Sequence, residues 1–241
     1  MTPDADSTKR RIFIVDDHPL VREWLINLIN QQPDLAVCGE AATAAEAIRA
    51  VPASNPEVAI VEISLKDCVE IEWIGNLKKA CPGLNVLVLS VHDEFLYAKR
   101  SLRAGAKGYI MKREATQKVI EALRKVLHGK FYISEAVAEA VTAAFVEGKT
   151  LATCSPTEQL SNRELAVFGM LGRGIGTRQI AERLGVNIKT VQVYCARIKE
   201  KLNLGNATDL LREAIRHCQT QNPNDRPGMK SRKTGPSNSI G

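Results

Sequence analysis

No uninterrupted apolar run in the chain approaches the roughly 20 residues that a membrane-spanning helix needs. The amino terminus, MTPDADSTKRR, lacks the apolar core of a signal peptide and carries acids instead. The expected location is therefore the cytoplasm, with no membrane partner. Paired cysteine spacing is missing too. The six cysteines, at 38, 68, 81, 154, 195 and 218, form no CxxC unit, which argues against a disulfide framework or a zinc site and leaves free, packed thiols. The last third of the chain is short of acids. Residues 1–135 hold 18 basic and 18 acidic side chains, residues 136–154 hold 1 and 2, and residues 155–241 hold 14 and 7, a net +7. That surplus lies where a phosphate-binding surface would use it.

What is present divides into two parts, and 241 residues suit two domains of ordinary size. The stretch Gly176 to Leu202, GTRQIAERLGVNIKTVQVYCARIKEKL, reads as two short helices turned at Leu184-Gly185-Val186. Asn187 is placed to cap the second, and Val191, Tyr194, Ile198 and Leu202 are spaced to bury one face. This is a helix-turn-helix, whose second helix enters a DNA major groove.

Upstream, Arg11 to Val15 is a buried strand that stops at Asp16-Asp17-His18-Pro19. Apolar runs then alternate with helical patterns. Strands are expected at 35–40, 58–63, 86–90 and 108–111, and helices at 20–31, 44–51, 71–80, 94–104 and 115–128. Five strands alternating with five helices imply a five-stranded, doubly wound parallel sheet, because parallel strands need crossovers. Its working site lies at the carboxyl ends of the strands. The polar residues at those ends are Asp16, Asp17, Glu62, Ser90 and Lys112. Three carboxylates, a hydroxyl and an ammonium suit a hard divalent cation such as magnesium beside an anionic group.

These residues carry a resemblance. The segments IFIVDDHPLVR, VLVLSVHDE and AGAKGYIMK resemble the flavodoxin-like receiver domain of two-component response regulators, and LSNREL, IAERLGV, KTVQVY and KEKL resemble the LuxR/NarL-type DNA-binding domain. The likeness covers roughly residues 11–217. It implies a mobile N-terminus (1–10), a receiver (11–130), a linker helix and hinge (131–156), an all-α four-helix DNA-binding domain (157–218) and a disordered basic tail (219–241). It also implies that Asp16 and Asp17 bind Mg2+, that residue 62 accepts phosphate, that Ser90 senses it, that Lys112 pairs with it, and that Tyr109 reports the switch. A histidine kinase or another regulator is the implied input partner and a homodimer on double-stranded DNA the implied assembly, and a receiver of this family can cover the recognition helix until it is activated.

One position departs from the family pattern. The acceptor is aspartate in the family, and here the strand reads Val58-Ala-Ile-Val-Glu62. The added methylene moves the carboxylate roughly 1.5 Å further into the pocket, enough to spoil in-line attack on a phosphodonor. Three readings stay open: Glu62 imitates the phosphorylated state, the switch is dead and the receiver is a docking module, or Glu62 itself is slowly phosphorylated. Lys66 stands in the following loop where the family commonly has proline.

After Phe131-Tyr132-Ile133, Ser134 caps a helical pattern over 135–147, and Gly148 to Pro156 reads as a hinge. Ser161-Asn-Arg-Glu164 fits a capping box opening a helix to about Leu171, and Ala207 to His217 forms a last amphipathic helix. On the recognition helix, Gln192, Val193 and Ala196 face away from the apolar stripe and suit base contacts. Lys189, Thr190, Arg197 and Lys201 suit phosphates, with a structural role as the alternative for Thr190 and Lys201. The expected function is a DNA-binding transcription regulator and not an enzyme. A phosphotransfer enzyme using the acidic pocket would need a covering lid or another nucleophile, and neither is evident; a protein-interaction adaptor is the other alternative.

Overall fold

The computed structural model describes residues 9–65, 68, 71–146 and 156–221. The expected mobile lead before residue 9, Lys66, most of the Gly148–Pro156 hinge and the tail beyond residue 221 lie outside the described residues.

The first domain is built from β1 (Arg10–Val15), α1 (Pro19–Asn30), β2 (Leu35–Ala41), α2 (Ala44–Ser54), β3 (Val58–Val61), α3 (Glu72–Ala80), β4 (Asn85–Ser90), α4 (Glu94–Arg103), β5 (Gly108–Met111) and α5 (Ala115–Leu127). The strands are parallel in the order β2-β1-β3-β4-β5. Successive residues of β1 face opposite sides, so Phe13 and Val15 join one apolar core while Ile12 and Ile14 join the other. Both faces are covered, which is why the strands read as continuous apolar runs. Helix starts follow their caps: the Thr43 hydroxyl accepts from the Glu46 amide, and the Asp93 carboxylate accepts from the Phe95 amide.

Two boundaries differ from expectation for local reasons. Helix α2 continues through Pro52 to Ser54, because Ala47 and Val51 keep their packing on the sheet and outweigh the backbone bond that proline removes. Strand β3 ends at Val61 rather than 63. The Glu62 side chain itself takes the amides of Ile63 and Ser64, at 2.7 and 3.1 Å, and draws the backbone away from the ladder.

Helix α6 (Glu135–Val146) follows, with the Ser134 hydroxyl accepting from the Val137 amide. The second domain contains a short 3₁₀ turn (Pro156–Gln159), α7 (Asn162–Gly172), α8 (Thr177–Leu184), α9 (Ile188–Lys201) and α10 (Ala207–Gln221). Ser161 and Glu164 form the expected capping box, and Gly185, at φ +63°, makes the turn between α8 and α9. Phe168, Ile180, Val191, Ile198 and Ala214 are fully buried in one core.

The domains meet through α4 and the start of α7. Leu96 and Tyr97 of α4 pack against the second domain's core, and Tyr97 packs against the receiver core as well. Arg100 donates to Asn162 Oδ1 at 2.6 Å and to the carbonyls of Leu160 and Thr157 at 2.8 and 3.2 Å. The resemblance allows a receiver that covers the recognition helix until activation, across a hinge that lets the domains separate or close. Here the receiver lies on α7 instead, and Lys189, Gln192, Val193, Ala196 and Arg197 of α9 are all exposed.

Candidate receiver pocket and nucleic-acid interface

Four of the five strand-end residues expected to converge, Asp16, Glu62, Ser90 and Lys112, do meet, with Lys112 at the centre. Its ammonium lies 2.6 Å from Asp16 Oδ2 and 3.0 Å from Glu62 Oε2. Ser90 donates to Glu62 Oε1 at 2.6 Å. Glu62 is 2 % exposed, so a buried carboxylate is matched by an ammonium, a hydroxyl and two backbone amides. A buried charge needs that degree of compensation. Burial alone would lower the Lys112 pKa, but the charge of Glu62 and the hydrogen bond and charge of Asp16 prevail and hold it above the ordinary lysine value.

Asp17 stands slightly apart. Its Oδ1 is buried without a hydrogen bond and faces His18 Nδ1 across 2.8 Å. Asp16, Asp17 and His18 each place a ligand atom within 4.8 Å of the others. The two carboxylates offer oxygen donors of the kind a hard cation takes, with Asp17 Oδ1 shared with the His18 ring. Both Glu62 oxygens are already committed to other donors and do not extend that set.

Sequence reasoning missed the second ring of contacts. His92, two residues past Ser90, shares a 2.7 Å hydrogen bond between its Nε2 and Ser64 Oγ, and its backbone amide donates to Ser90 Oγ at 3.3 Å. Its carbonyl accepts the Tyr109 phenol at 2.9 Å, and its ring lies 4.8 Å from that of Tyr97. Burial, together with the charges of Arg173 and Lys112, pushes the His92 pKa down to about 4, so the ring is neutral near pH 7. Burial likewise raises Tyr97 to about 12 and Tyr109 well above the usual tyrosine value. The available signal was an SVH tripeptide at a strand end; nothing local marked His92 as half-buried against Ser64 and Tyr97.

On the second domain, the Asn187 side chain accepts from the Thr190 amide at 2.8 Å and starts α9 as expected. Val191 and Ile198 are buried, with Tyr194 and Leu202 packed beside them. The opposite face presents Lys189, Gln192, Val193, Ala196 and Arg197 to solvent. Two residues grouped with the phosphate contacts are engaged inside the domain. The Thr190 hydroxyl turns back to Asn187 Oδ1 at 3.0 Å, and Lys201 lies 2.6 Å from Glu164, whose side chain is 3 % exposed. Both engagements follow the structural alternative for those residues.

Residues 12–124 match the family described as response regulator receiver domain, and residues 158–214 match the bacterial regulatory proteins of the luxR family. The oxygen regulatory protein NreC of Staphylococcus carnosus is 33% identical over 211 residues, covering 86% of this chain and 97% of that protein. The chain is a response regulator of the LuxR family.

The transcriptional activator DevR/DosR of Mycobacterium tuberculosis is similar to this regulator at 31% identity over 217 residues, 90% of this chain and 99% of that one. Among solved structures, RcsB of Salmonella typhimurium matches with a TM-score of 0.65 at 23% identity, over 87% of the regulator and 98% of RcsB, a likeness of fold. A LuxR-family two-component response regulator from Aurantimonas matches at 30% identity and a TM-score of 0.53, covering 57% of the regulator and 99% of its own chain. The regulator is thus a DNA-binding transcription factor of two domains, and the family consists of transcription regulators rather than enzymes.

Proposed function

We propose that this regulator binds a two-fold DNA operator as a dimer and that its receiver is set by the Glu62 carboxylate in place of an aspartyl phosphate. The observation that carries the reading is the arrangement around Glu62. The hydroxyl, ammonium and backbone amides that would hold phosphoryl oxygens are all engaged by its two carboxylate oxygens. Tyr109 is 1 % exposed, with its phenol held by the His92 carbonyl, which suits an aromatic drawn in behind an engaged Ser90. Asp16 and Asp17 would hold magnesium, which supplies positive charge beside the acids. On the DNA side, Gln192 and Val193 would read base edges, with Ala196 beside them and Lys189 and Arg197 fixing the register on phosphates. Leu211 and Ile215, 42 % and 36 % exposed on α10, supply apolar surface for the two-fold pairing.

The test is binding to an operator selected from random-sequence DNA, with and without magnesium plus a small phosphodonor. Wild type, Glu62→Gln and Glu62→Asp are compared, and the intact mass of each is recorded. Tight wild-type binding without donor, no gain in mass and weaker binding by Glu62→Gln are expected. A wild type that gains a phosphoryl group and then binds more tightly would overturn the reading.

A further inference from the structure

His92 stands where the receiver pocket and the contact between the domains meet. Its backbone serves the pocket: the amide donates to Ser90 Oγ and the carbonyl accepts from the Tyr109 phenol. Its ring serves the contact. One ring nitrogen shares a 2.7 Å hydrogen bond with Ser64 Oγ, and the ring lies 4.8 Å from that of Tyr97, which packs against both domain cores. The groups around the ring are neutral or positive. Tyr97 and Tyr109 keep their protons near pH 7, and the charges that act on the ring are those of Arg173, at the carboxyl end of α7, and Lys112. Acids on the neighbouring elements are engaged elsewhere. Asp93 caps α4 through the Phe95 amide, Glu94 bonds Ser134, and Asp16 and Glu62 hold Lys112. A proton on the ring would add a third cation beside Arg173 and Lys112 with no carboxylate to meet it.

We propose that His92 is a proton-operated latch on the domain contact: neutral, its ring seats Tyr97 between the two domains; protonated in mildly acid solution, it releases α7 from α4. The linkage follows from the same geometry. In the closed form, burial and the charges of Arg173 and Lys112 hold the ring's pKa at about 4. Opening removes Arg173 and admits water to the ring, which raises that value toward the ordinary 6.5. Below 6.5 the open form thus binds a proton that the closed form does not, and falling pH draws the domains apart. The latch does not rest on the reading of Glu62, because the ring touches Ser64 and Tyr97 rather than the pocket acids. It supplies the regulator with an input that needs no phosphodonor.

The experiment is single-molecule energy transfer on the full chain, with donor and acceptor dyes at Glu23 of α1 and Gln179 of α8, both exposed and one in each domain. Wild type, His92→Gln and Arg173→Gln are compared between pH 7.5 and pH 5. Arg100→Ala, which loses the bonds to Asn162, Leu160 and Thr157, supplies the signal of the open form. The ratio of open to closed chains in wild type should rise about ten-fold across the range, along a single-proton curve. His92→Gln keeps a neutral hydrogen-bonding side chain and should stay closed throughout. Arg173 is exposed, so Arg173→Gln should fold, and with one cation fewer beside the ring its response to pH should shrink. A wild type whose energy transfer ignores pH overturns the proposal. So does a full response in His92→Gln or an undiminished one in Arg173→Gln. A His92→Gln chain that is open at every pH would make the ring a fixed strut, and overturns the latch equally.

Discussion

Ser90 Oγ donates to Glu62 Oε1 across 2.6 Å, joining the end of β4 to the residue that follows β3. The same oxygen accepts from the His92 amide, so one hydroxyl fixes both the acid and the loop leading into α4. Ser90→Ala should cost about 2 kcal/mol of stability, the usual range for a hydrogen bond to a buried charge. Urea denaturation measures it. Ser90→Thr should keep most of that stability, and an alanine variant as stable as wild type would show that the bond contributes nothing net.

Lys112 is wedged between two carboxylates that are 3 % and 2 % exposed. Lys112→Met should leave both unpaired and destabilise the receiver by about 3–5 kcal/mol, as for other broken buried pairs. Magnesium should recover part of that loss if Asp16 and Asp17 hold the ion. A variant whose melting temperature ignores magnesium would count against the metal site.

The pH dependence centres on His92, whose folded-state pKa of about 4 lies below its ordinary 6.5. Between these values the unfolded chain binds a proton that the folded chain does not. Stability is therefore present above 6.5 and is lost as pH falls toward 4, by up to about 3 kcal/mol. The difference between wild type and His92→Gln across pH 4 to 7 isolates this contribution from the carboxylates. Parallel curves would mean that His92 is readily protonated in the fold.

Lys201 and Arg197 lie one turn apart on α9 and should behave differently. Burial would raise the Glu164 pKa, but the bonds from Lys201 and Ser161 prevail and lower it. Lys201→Met should thus destabilise the domain, by about 2 kcal/mol, with little change in the salt dependence of DNA binding. Arg197→Ala should leave the melting temperature alone and reduce the slope of log affinity against log salt by about 1. Exchange of those two outcomes would reverse the roles.

Gly172 allows α7 and α10 to approach closely. A Cβ there would sit 2.3 Å from the Ala214 carbonyl oxygen and 2.5 Å from Cys218 Sγ. Gly172→Ala should destabilise the DNA-binding domain by about 1–3 kcal/mol, the ordinary range for overpacking. Gly169→Ala, with nothing within 4 Å of its added Cβ, is the matched control in the same helix.

The alternating order of the first domain was legible because each strand is a short apolar run bounded by acids or glycine, and because caps such as Ser161 and Asn187 act locally. The convergence of Asp16, Glu62, Ser90 and Lys112 followed from topology alone, since parallel strands place all their carboxyl ends at one edge. Other features depended on contacts distant in sequence. Nothing near Arg100 announces a partner 62 residues away in Asn162, and Lys201 looked like a phosphate contact until Glu164 was found buried beneath it. The shortened β3 was hidden for a different reason: Glu62 competes for the backbone donors of its own strand, an effect that periodicity does not register.

The contact between α4 and α7 leaves the outward face of α9 open to solvent. The contact that closes the two domains on each other therefore leaves Gln192, Val193 and Arg197 uncovered. Those side chains are already at the surface, where the positive field of the last third of the chain acts on an approaching polyanion.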